Sequence, residues 1–123
     1  MLNPKDHWHQ EVRRFNQTLG MVKLVTTDEV LTEFLNFFSG FDLLVKQGAA
    51  QRVDILLQSS MVQVISQRRE TFLAGLQLYR QRLDKGYSLT DCISMQSMKA
   101  FGIAEVLTHD RHFSQEGFTI LFL

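Results

Sequence analysis

The stretch YSLTDCISMQSMKAFGIAEVLTHDRHFSQEGF, residues 87–118, decides the fold, because it sets two carboxylates on one helix-then-strand unit. Ser88 is placed to cap a helix, with Asp91 three residues on in a weak form of the capping box. Ile93, Met95, Met98 and Phe101 follow at near-helical spacing, and Gly102 supplies the stop. Residues 104–108 are short and apolar and carry β-branched Val106 and Thr108, so they read as a buried strand running into His109 and Asp110. Asp91 then stands in the first turn of a helix and Asp110 just past the end of a strand. In an open parallel sheet, strand carboxyl ends and the adjoining helix N-termini share the edge where ligands collect. The two acids can converge there.

Working outward, Asn3 to Asp6 reads as a turn ending in an N-cap, and Trp8, Val12, Phe15 and Leu19 mark one helical face closed by Gly20. Residues 22–25 form a short strand. Thr26 and Glu29 make a T-x-x-E capping box for a helix whose apolar face runs through Val30, Leu31, Phe34, Leu35, Phe37 and Phe38, up to Gly40. Residues 43–57 repeat the helical pattern, residues 61–65 alternate as a strand, and residues 67–85 form a long helix with Phe72, Leu76, Tyr79 and Leu83 on one face. Residues 119–123 close the chain as a strand. Strands alternating with helices imply right-handed parallel crossovers, hence an α/β sheet covered on both faces.

Length and composition narrow the class. A chain of 123 residues is near the modal size of one domain, and 45% apolar with 21% charged residues is an ordinary globular balance. No run approaches the roughly 18 apolar residues of a spanning helix, and no signal peptide is evident. A single cysteine excludes an internal disulfide and suits a reducing, cytoplasmic setting. Thirteen basic and thirteen acidic side chains cancel, which argues against indiscriminate nucleic-acid binding but leaves room for a local basic strip.

Glu33 lies one turn into the helix that follows residues 22–25, so its carboxylate can point to the same sheet edge as Asp91 and Asp110. Its neighbours Leu31, Phe34 and Leu35 make a solvated side chain less expected there. Three clustered carboxylates repel one another unless a cation neutralises them, and hard oxygen ligands suit Mg²⁺ or Mn²⁺. Taken singly, Asp91 is equally well a capping residue favoured by the helix dipole. His109 and His112 flank Asp110 and could reach a phosphate or a metal-bound water, although a polar loop packed on the sheet edge explains them more simply. His7 and His9, two apart on a helix, face different ways. Cys92 reads as core. Arg68, Arg69, Arg80, Arg82 and Lys85, set against Glu70 and Asp84, form a strip that could track an RNA backbone or be no more than a solvated face. The phenylalanines at 34, 37, 38 and 72 fall on helical apolar faces and read as core.

The motifs SLTDC, ISMQSMKAFGI, VLTHDRHF and GF, together with VTTDEVLTEFLNF from Val25 onward, resemble the PIN domain, the metal-dependent ribonuclease domain of VapC-type toxins. The resemblance implies a three-layer α/β/α fold, a short parallel sheet flanked by helices, formed as one domain over residues 1–123. It matches Glu33, Asp91 and Asp110 to the family's metal-holding and catalytic acids. It implies Mg²⁺ or Mn²⁺ as cofactor, RNA as substrate, an antitoxin protein and a second copy of the chain as partners, and no membrane. The family's first strand, which ends in a further metal-ligating Asp, has no counterpart in residues 1–123. The strand at 22–25 and the strand at 104–108 are therefore expected either to pair directly or to face a slot. The alternative function is a PIN-derived module that binds RNA or a protein partner without cleaving.

Overall fold

The computed structural model describes residues 24–108 and 110–121. The expected first helix, with His7 and His9, lies outside the described residues, as do the start of the first strand, His109 and the end of the last strand. Strand β1 (Leu24–Thr27) leads into helix α1 (Asp28–Phe37). The cap is Thr27, one residue later than the sequence pattern suggested: its Oγ1 accepts from the Val30 backbone N–H at 3.1 Å. Both threonines fit the cap chemistry, and extending the strand through Thr27 selects the second. Helix α2 (Leu43–Gln58) is capped by Asp42 and returns the chain to β2 (Val62–Ile65), which pairs in parallel with β1. Asp28 accepts from the Gln67 backbone N–H at 2.9 Å, tying the start of α1 to the exit of β2.

Helix α3 (Arg69–Gln81) ends four residues before the expected 85. The chain turns through 82–86 into α4 (Leu89–Phe101), whose C-cap Gly102 takes φ 68°, a left-handed conformation that glycine adopts without steric cost. Strand β3 (Glu105–Val106), the single-turn helix α5 (His112–Gln115) and β4 (Thr119–Ile120) complete the described chain, and β3 and β4 pair in parallel. The helix α5 was not anticipated, since four residues are too few to show a period.

The main helix contact is α3 on α4, made close by Gly75, which faces Ile93. Leu78, Tyr87, Cys92, Met95, Met98, Phe113 and Phe118 form the core between these helices and the β3/β4 ladder. Around α1 the outcome differs from expectation. Phe37 is 69% exposed, Phe34 and Phe72 are also on the surface, and Phe34, Phe37, Phe38 and Phe41 stack on one another with centroids 5.1–5.7 Å apart. Helical spacing identifies an apolar face but not the layer that would cover it. No helix among the described residues is long and apolar enough to cross a membrane.

Among the described residues the parallel sheet is two separate ladders, β1 with β2 and β3 with β4. There β1 does not pair with β3, and β1 and residues 103–108 line one cleft of about 880 Å³, to which α4 contributes Asp91, Ser94, Ser97 and Met98.

A polar anchor sits beside the core. Glu116 accepts from Arg82 Nε at 2.5 Å and from the Tyr87 hydroxyl at 3.1 Å, with its side chain only 7% exposed. The Arg82 guanidinium, and after it the Tyr87 hydroxyl, hold the Glu116 carboxyl below its ordinary value against the opposing effect of burial. Burial and the adjacent Glu116 push the Tyr87 hydroxyl up to about 12. A lowered carboxyl contributes stability above its unfolded value, about 4.3, which is lost as pH falls through the lower folded value. Melting temperature measured against pH is therefore expected to fall with acid below about pH 4.3, and to fall less steeply in Glu116→Gln. Equal slopes would show that this anchor does not set the acid limit.

Candidate metal centre

The capping box that starts α4 fixes Asp91. Its Oδ2 accepts from the Ser88 backbone N–H at 3.0 Å, while Ser88 Oγ accepts from the Asp91 N–H at 3.0 Å. Asp110 follows β3 and is held by a local turn in which Thr108 Oγ1 accepts from its backbone N–H at 3.0 Å. Asp110 Oδ1 in turn accepts from the His112 backbone N–H at 2.9 Å, which starts α5 and brings the His112 ring back over the carboxylate.

The result is a three-residue cluster. His112 Nδ1 lies 3.2 Å from Asp110 Oδ1 and 3.7 Å from Asp91 Oδ2, and one donor atom from each residue fits within 4.8 Å. The side chains of Asp91, Asp110 and His112 are 18%, 38% and 34% exposed, so the cluster opens to solvent while remaining partly shielded. The imidazole leans on Tyr87 with ring centroids 5.2 Å apart. His112 Nδ1 is itself buried and makes no hydrogen bond. Two carboxylates at this spacing repel, and a nitrogen that makes no hydrogen bond stands beside them. A divalent cation answers both conditions, so the residues present fit a metal.

The expected site residues divide. Asp91 and Asp110 come together; Glu33, on α1, lines the same cleft but stands outside the cluster and is exposed. Its helix grows from β1, and the cleft separates that ladder from the one carrying Asp110. The structure also places His112, which the sequence offered only as a loop residue able to reach a phosphate or a metal-bound water, beside both carboxylates. The available signal was the Asp-x-His spacing: an Asp that caps the N–H two residues on puts that residue's side chain beside its own carboxylate. Cys92 is fully buried, and burial pushes its thiol up, as suits a core residue rather than a nucleophile. The basic strip is partly engaged elsewhere, with Arg82 on Glu116 and Arg69 6.0 Å over the Phe72 ring.

Comparison with known proteins agrees with this architecture. A family model described as PIN domain matches residues 2–118. Among solved structures, the chain is similar to the crystal structure of Mycobacterium tuberculosis VapC20, described as a sarcin-ricin loop cleaving toxin. The TM-score is 0.77 at 23% identity, covering 95% of this chain and 87% of that one. Comparison with curated proteins finds no match.

Proposed function

The chain belongs to the PIN domain family, and from that membership we propose that it is a metal-dependent endoribonuclease, the toxin of a toxin–antitoxin pair acting in the cytoplasm. The observation that carries this reading is the cluster of Asp91, Asp110 and His112 opening on the cleft between the two ladders. Bound there, Mg²⁺ or Mn²⁺ would supply a Lewis acid for a phosphodiester and a water of lowered pKa. Asp91 and Asp110 would hold the ion. Glu33, on the wall of the same cleft, would reach it through a water layer, as suits an ion that keeps part of its hydration shell. Ser88 holds Asp91, and Thr108 holds the turn at Asp110, so both carboxylates are oriented before any ion arrives. The likeness to VapC20 supports RNA as the substrate class. An antitoxin protein and a second copy of the chain are the partners this reading carries.

The position of Glu33 favours one rival, a module that binds RNA or a protein partner without cutting RNA, because among the described residues only two carboxylates stand close enough to ligate one ion directly. Incubating the purified chain with RNA distinguishes the two. The nuclease reading expects discrete products that need Mg²⁺ or Mn²⁺ and disappear with a chelator. RNA retained intact by the protein at saturating metal would establish the rival.

A further inference from the structure

His112 Nδ1 is a buried nitrogen that hydrogen-bonds to nothing, although Asp110 Oδ1 is only 3.2 Å away. Were the ring a simple charge partner for the carboxylates, an Nδ1–H would be expected to bond to the nearer one, yet no hydrogen bond forms to Asp110 at 3.2 Å and Asp91 is too distant for one. Ligands of one ion behave in that way, since each points at the ion and not at its neighbours. Two donors about 2.1–2.2 Å from an ion, at angles of 90–120°, stand roughly 3.0–3.8 Å apart. The separations of 3.2 Å and 3.7 Å from Nδ1 to the two carboxylates match that pattern. The ring is also held in advance: its backbone N–H is bonded to Asp110 and its face leans on Tyr87, whose hydroxyl is anchored on Glu116.

We infer that His112 is a direct metal ligand through Nδ1, so that the centre prefers Mn²⁺ to Mg²⁺; this rests on the nuclease reading above and specifies its ion. Mg²⁺ demands octahedral oxygen coordination and gives up water reluctantly, whereas imidazole is a borderline donor suited to first-row transition ions.

The test is Mn²⁺ binding followed by electron paramagnetic resonance, with Mg²⁺ as competitor, on the full chain. The protein is expected to bind Mn²⁺ at least about tenfold more tightly than Mg²⁺. His112→Gln should reduce that preference by about tenfold or more, at least the lower bound for losing even an outer partner of a metal ligand. Electron spin-echo modulation supplies a readout that needs no variant: a nitrogen coupling to bound Mn²⁺ that changes when only histidine is labelled with ¹⁵N. That coupling should vanish in His112→Gln. Binding without a histidine coupling, or a coupling that survives His112→Gln, overturns the inference and leaves the carboxylate centre standing. Absence of Mn²⁺ binding overturns the metal reading itself.

Discussion

Asp91→Asn is expected to lower metal-dependent RNA cleavage by more than about a hundredfold, since outer partners of metal ligands alone are worth 10–100-fold. The fold should survive. The amide keeps an oxygen to accept from the Ser88 backbone N–H, so the capping box persists. Losing a negative charge from the first turn costs about 0.3–1 kcal/mol, and relief of the repulsion with Asp110 offsets part of it. Cleavage rate and melting temperature are measured on the same preparation. Cleavage within a few-fold of the parent would remove Asp91 from the mechanism; lost cleavage with a collapsed melting curve would assign it a structural role only.

Gly75→Ala should have the largest effect on stability. An added methyl would meet Ile93 Cγ1 at 2.3 Å and the Ile93 backbone N and Cα at 3.0 Å. Ile93 is buried and β-branched in a helix, so it has little rotamer freedom, and its backbone cannot yield alone. Alanine is favoured over glycine in a helix by about 0.8–1.0 kcal/mol, while overpacking costs typically 1–3 kcal/mol and occasionally more. With contacts this short on main-chain atoms the steric cost is expected at the upper end, for a net loss of about 2 kcal/mol. At about 4–8 °C per kcal/mol, that lowers the melting temperature by roughly 10 °C. A melting temperature unchanged or raised would mean that α3 and α4 separate freely. Because α4 carries Asp91 on its first turn, the same variant should also weaken divalent-ion binding.

The parts of the fold legible in the sequence were those fixed by neighbours along the chain. Ser88 with Asp91 and the stop at Gly102 depend on contacts within a few residues, and each stands where its residue types put it; the strand expected over 104–108 is only Glu105–Val106 and is not buried, because its cover comes from elements distant in the chain. Long-range partners were hidden. Helix α3 stops at Gln81, and the Arg82 guanidinium that follows is engaged by Glu116, 34 residues away, a pairing no local pattern reveals. The phenylalanines of α1 show the same limit in reverse, because an apolar face was readable and its exposure was not. For the site, spacing brought Asp91 and Asp110 to one place. The separation of Glu33 from them depends on how the ladders sit across the cleft, which is tertiary.

Among the described residues that division gives the site two arms, joined where α1 packs on α4. One arm, β1 with α1, carries Glu33; the other, α4 with the β3/β4 ladder, carries Asp91 and Asp110. An ion gripped by both arms would be a clasp, and its binding free energy would appear as resistance to opening. An ion present at a hundred times its dissociation constant adds about 2.7 kcal/mol to a state that alone can bind it. That increment would add to the contact between α1 and α4 and would be lost when a chelator removes the ion.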